Sequence, residues 1–124
     1  MILIFGGACQ GKKAFARESF GLSEEDIACC TAEGEPDWSR KALSGVEQYL
    51  LGCLQRGEDP ANTPLEGPMV EEKILICQEI GSGVVPIDPL MRRWREETGR
   101  ALQRLARRSD QVWRVFCGIP QRIK

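Results

Sequence analysis

The chain has 124 residues, 42% hydrophobic and 28% charged, with six cysteines and no histidine. That length fits one domain with its own core; the apolar fraction excludes a disordered chain, and no apolar run is long enough for a transmembrane helix. Without histidine, these residues offer no imidazole base, histidine nucleophile or histidine metal ligand.

Met1-Ile-Leu-Ile-Phe5 lacks the basic start and long apolar stretch of a signal peptide. Cys9, Cys29, Cys30, Cys53, Cys77 and Cys117 are scattered without a C-x-x-C pair. They read as reduced and mostly buried thiols of a cytoplasmic protein, not as a disulfide framework or a metal centre. The formal net charge is −1, yet residues 92–124 carry ten basic residues against three acidic ones. A basic segment attracts phosphates or nucleic acid. With no aromatic interleaving and a neutral whole-chain balance, the favoured reading is a solvated arginine-rich helix face without a nucleic-acid partner.

Short apolar runs alternate with amphipathic stretches in chain order, which predicts a single α/β domain over residues 1–124. Ile2-Leu3-Ile4-Phe5 reads as a buried strand ending at Gly6-Gly7, followed by a helix from about Gly11 to Ser19 with Gly21 as its stop. Residues 27–31 give a weak second strand. Pro36-Asp37-Trp38 is expected to open a helix, because Leu43, Val46, Tyr49, Leu50 and Leu54 recur at helical spacing. Residues 57–70, with three prolines and two glycines, read as an internal loop. Lys73–Cys77 is a third strand, Asp88-Pro89 starts a helix running to Arg108, and Val112–Cys117 is a last strand. The expectation is a P-loop-type parallel sheet of about four strands flanked by about three helices.

The first strand runs into Gly6-Gly7-Ala8-Cys9-Gln10-Gly11-Lys12, which fits the G-x-x-x-x-G-K core of a phosphate-binding loop. Its glycines let backbone N–H groups turn inward, the following helix adds its positive end, and Lys12 reaches the phosphates. The competing reading is a glycine-rich strand-to-helix turn. The next residue departs from the pattern: a serine or threonine there holds Mg²⁺, and this chain has Lys13. Glu79 lies at a strand's C-terminal end, where open α/β sheets place their ligands. It reads either as a catalytic acid or as a solvated loop residue. Gly81 and Gly83 make residues 79–86 a second candidate loop that admits close approach of a ligand.

Gln78-Glu-Ile-Gly-Ser-Gly-Val-Val-Pro86, then Arg92, Trp94-Arg95, Gly99-Arg100, Gln103-Arg104-Leu105-Ala106, Asp110 and Val112-Trp113, resemble the C-terminal part of one family. This is the adenosylcobinamide kinase/adenosylcobinamide-phosphate guanylyltransferase family of cobalamin biosynthesis, and residues 6–12 are similar to its glycine-rich loop. The resemblance implies a parallel-sheet nucleotide-binding fold, often trimeric, that uses GTP or ATP on a corrinoid. It implies a kinase step, with Lys12 on the phosphates and Glu79 as base or metal-linked acid, and then transfer of GMP through a histidine. This chain has no histidine. The family's histidine-bearing helix has no room between Thr31 and Gly34-Glu35-Pro36-Asp37-Trp38, and a further family strand finds no counterpart between Trp38 and Lys73. The expectation is a nucleotide-binding relative lacking histidine-linked transfer. Its kinase step lacks the usual Mg²⁺ ligand, and the alternative is an inactive ligand-binding or protein-interaction module.

Overall fold

Ile2–Phe5 and Ile74–Cys77 are apolar at every position, the pattern of strands covered on both faces. In the computed structural model, which describes residues 1–8, 10–81 and 85–124, they form adjacent parallel strands at the centre of one sheet. The strands are β1 (Ile2–Gly6), β2 (Ile27–Cys29), β3 (Ala42–Ser44), β4 (Ile74–Gln78), β5 (Gln111–Phe116) and β6 (Ile119–Arg122), in the spatial order β2-β3-β4-β1-β5-β6. All neighbours are parallel except β5 and β6. The helices are α1 (Lys12–Phe20), α2 (Val46–Gln55) and α3 (Pro89–Arg108).

The sheet separates two apolar layers. On one face Leu3, Leu43, Leu75 and Val112 meet Val46, Tyr49 and Leu50 of α2 and Ala101 and Leu105 of α3. On the other, Ile4, Ala42, Ile76 and Val115 meet Ala16 of α1. α3 follows its expected bounds: the Asp88 carboxylate accepts from the Leu90 N–H at 2.8 Å, and Pro89 occupies the first turn.

Two strands exceed the expected four. Residues 36–40 do not open a helix; they form a turn in which the Asp37 carboxylate accepts from the Ser39 N–H and the Arg40 Nε. Ala42–Ser44 then pairs with β2 and β4, so a strand does stand between Trp38 and Lys73. Leu43 joins the same layer as Val46, Tyr49 and Leu50, which is why the apolar spacing imitated one continuous helix. Gly45 makes the break. It sits at φ 81°, and a Cβ there would lie 3.1 Å from the Cys30 carbonyl oxygen. The sixth strand returns from β5 through a two-residue turn at Cys117 (φ 51°) and Gly118 (φ 75°). It is exposed throughout and contains Pro120, both marks of an edge strand.

Residues 57–70 are three short 3-10 turns, each begun by a proline: Pro60–Asn62, Pro64–Glu66 and Pro68–Val70. Arg104 pairs with Glu66 at 2.7 Å, and Arg108 donates to the carbonyls of Leu65 and Gly67, which pins the segment to α3. Part of the arginine excess is thus structural.

Cys30, Cys53 and Cys77 are buried, Cys29 and Cys117 are exposed, and all five are free. Burial, with Glu47 nearby, pushes the Cys30 thiol up to about 12; burial drives Cys77 higher still. A thiol reagent at neutral pH should therefore modify Cys29 and Cys117 in the native protein and reach Cys30, Cys53 and Cys77 only after denaturation, as peptide mapping would show. Among the described residues no helix is long and apolar enough to cross a membrane.

Candidate functional site

Parallel strands present their C-terminal ends at one edge of a sheet, and the loops leaving that edge carry ligands in open α/β folds. β1 reaches this edge at Gly6, in register with Gln78 of β4. The chain then turns through residues 7–11 into α1. No side chain caps the start of α1 and no acidic residue lies in its first turn, so its positive end is left open toward the loop.

Lys12 folds back over this loop, its Nζ donating to the Gly7 carbonyl at 2.6 Å. The loop is braced from the hairpin side. The Gly118 N–H donates to the Gln10 carbonyl at 3.0 Å, and the Cys117 N–H donates to the Gln10 side-chain oxygen. Lys13 points toward the end of β2, with Nζ 3.4 Å from the Cys29 Sγ.

A cleft of about 270 Å³ opens between the loop and the sheet edge, with Gln10, Lys12 and Lys13 on one wall and Ser44, Glu47 and Gln78 on the other. Its volume sits near the lower end of the ~300–1,000 Å³ common for small-molecule sites. Glu47 is the residue that sequence reasoning missed. It lies in the first turn of α2, is 6% exposed, and accepts the Gln78 N–H through Oε2 at 3.1 Å. Burial raises its pKa; the Gln78 and Glu47 backbone N–H groups and the nearby Lys12 charge pull the other way. A buried, perturbed carboxylate in a cleft opposite a lysine has the character of a functional group.

Gly6, Gly7, Gln10, Gly11, Lys12 and Lys13 are thus gathered at one edge, with Ala8 exposed beside them. Glu79 is not in this cleft. Its N–H donates to the Gly6 carbonyl at 2.7 Å, and its carboxylate meets Arg114 of β5 at 3.4 Å. Gly81 lies beyond it, where its carbonyl accepts from Arg95 of α3. Cys9 and Gly83 fall outside the described residues. Among the described residues no three Asp, Glu, Cys or His side chains cluster to hold a metal. A cation in this cleft would depend on ligand oxygens and water as well as Glu47.

The family model described as cobinamide kinase / cobinamide phosphate guanyltransferase matches residues 65–123. The chain is similar to this family over that segment. The match takes in β4, α3, β5 and β6, and leaves residues 6–13 outside it. The bifunctional adenosylcobalamin biosynthesis protein CobU of Salmonella typhimurium is 45% identical over 84 residues, 68% of this chain and 40% of that protein. Its Escherichia coli namesake is 41% identical over the same shares. The bifunctional adenosylcobalamin biosynthesis protein CobP of Pseudomonas aeruginosa is 35% identical over 82 residues, 66% of this chain and 40% of that protein. The match thus spans less than half the length of these relatives.

Proposed function

We propose that this chain binds a nucleoside triphosphate, GTP or ATP, in the cleft between residues 6–13 and the ends of β3 and β4. One observation carries the reading: a G-x-x-x-x-G-K sequence occupies the turn between a central parallel strand and an uncapped helix start, with its lysine on the cleft wall. In this site the loop N–H groups and the start of α1 receive the phosphates. Lys12 exchanges the Gly7 carbonyl for a phosphate oxygen, and the Cys117–Gly118 turn holds the loop in place through Gln10.

The names of the relatives point to cobalamin biosynthesis, so the second ligand of this reading is a corrinoid, with a second copy of the chain as partner and the cytoplasm as setting. The chemistry is phosphoryl transfer rather than histidine-linked guanylyl transfer, because these 124 residues contain no imidazole to carry GMP. Lys13, standing where a metal-holding hydroxyl is usual, favours the second reading, a site that binds without turnover.

A melting series tests the nucleotide binding that both readings share. GTP or ATP at a hundredfold excess over Kd should stabilise the protein by ~2.7 kcal/mol. Absence of any shift with GTP, ATP or GDP, with and without Mg²⁺, overturns nucleotide binding. Given a shift, incubation with γ-labelled nucleotide and adenosylcobinamide separates the kinase, which labels the corrinoid, from the module that binds without labelling it.

A further inference from the structure

The cleft combines two features that conflict once a phosphate chain enters it. The loop wall attracts anions, while the sheet wall carries Glu47, a buried acidic residue that lines the cleft. Its Oε2 accepts the Gln78 N–H, and no lysine or arginine forms an ion pair with it among the described residues. The closest positive influence is Lys12, from the opposite wall. In the nucleotide complex Lys12 is drawn to the phosphates, and anionic oxygens then face a buried carboxylate across a low-dielectric gap. Like charges so placed repel strongly unless a cation stands between them.

Magnesium suits that gap, since it keeps several waters and takes one or two carboxylates with phosphate oxygens rather than a full protein cage. The lysine at position 13 cannot ligate a metal, and its ammonium lies instead beside Cys29. We propose that Glu47 is the cation ligand of this cleft: its carboxylate holds a divalent metal between the sheet wall and the bound phosphates, so that the metal is held from the sheet side rather than from the start of α1. Ser44, at the end of β3 on the same wall, offers a hydroxyl to the same ion or to its waters. This inference rests on the nucleotide reading above and adds the source of its metal dependence.

Two variants test it against a purely structural role for Glu47 as acceptor of the Gln78 N–H. Glu47→Gln keeps an oxygen for that hydrogen bond and loses the charge. Glu47→Asp keeps the charge and draws the carboxylate back from Gln78. Nucleotide affinity is read by melting shift for GTP and ATP, in Mg²⁺ and in EDTA. Magnesium should tighten binding to the wild type on the order of tenfold or more. Glu47→Gln should bind with little dependence on Mg²⁺ and, in EDTA, more tightly than the wild type because the repulsion is gone. Glu47→Asp should retain a magnesium response. A wild-type magnesium response in Glu47→Gln, or its loss in Glu47→Asp alone, overturns the proposal while leaving nucleotide binding intact. No shift in any protein under either condition removes the nucleotide reading and this inference together. Paramagnetic Mn²⁺ supplies a second readout: water-proton relaxation enhancement in the presence of nucleotide is expected for the wild type and absent for Glu47→Gln.

Discussion

Lys12→Ala should remove most of the stabilisation that GTP or ATP gives this protein. A lysine ammonium on a phosphate is a charge-assisted hydrogen bond worth ~1.5–3 kcal/mol, so nucleotide affinity should fall about 10- to 100-fold. At a fixed nucleotide concentration that gives the wild type ~2.7 kcal/mol of stabilisation, the variant should retain ~0.4–1.4 kcal/mol. The unliganded variant also loses the bond from Nζ to the Gly7 carbonyl, a cost of about 1 kcal/mol that the melting temperature without nucleotide isolates. Lys13→Ala is the informative neighbour. Its ammonium lies beside the Cys29 sulfur, so its removal should weaken binding by no more than about fivefold. Equal losses in the two variants would mean that the loop uses its lysines as a diffuse positive patch, and that the cleft geometry does not select Lys12.

The contrast between two glutamates shows what was legible in the sequence and what was not. Glu79 follows a strand at the edge where ligands bind, and that much was readable from the apolar run 74–77. In a strand, adjacent side chains take opposite faces, so a one-residue step decides which side of the sheet a group serves. Gln78 faces the cleft; Glu79, continuing the ladder through its N–H to Gly6, meets Arg114 on the other side. Glu47 was illegible for a different reason. Its place depends on β3, a three-residue strand whose Leu43 shares a helical spacing with Val46, Tyr49 and Leu50. A helix expected from Pro36 put residue 47 several turns inside it. The signal that separates strand from helix is Gly45, which takes a left-handed conformation against the Cys30 carbonyl.

Where local chemistry decided structure, the reading was direct. The Asp88-Pro89 cap and the glycine after α1 set helix ends within about a turn, because capping is a short-range effect. β6 was hidden because its residues bury no apolar face and its pairing is supplied by the Cys117–Gly118 turn. The G-x-x-x-x-G-K sequence stood out as a motif, but the brace on its loop did not. Gln10 is held by residues more than a hundred positions away, a contact that no periodicity encodes.

Gly6→Ala should cause the largest loss of stability among single-methyl substitutions at this edge. Gly6 is buried where β1 leaves its pairing with β5, and a Cβ on it would lie 2.3 Å from the Val115 carbonyl oxygen. Both the glycine and the obstructing atom are backbone, so no side chain can rotate away; either β5 or the start of the loop must move. Overpacking of this kind costs ~3 kcal/mol, which lowers the melting temperature by about 10 °C in a domain of this size. The displacement should also reach the ligand, because the loop begins at residue 7 and is tied through Gln10 to the turn that ends β5. The nucleotide shift should shrink along with stability. Gly99→Ala provides the opposite case. Gly99 is exposed in the interior of α3, and a Cβ there meets nothing within 4 Å. Removing glycine from a helix interior should stabilise the protein by ~0.5–1 kcal/mol and leave the nucleotide shift unchanged. If Gly6→Ala melts within about 2 °C of the wild type, a shift worth less than 1 kcal/mol, then β1 and β5 part before residue 6. In that event the brace on the loop before α1 begins at Gln10 alone.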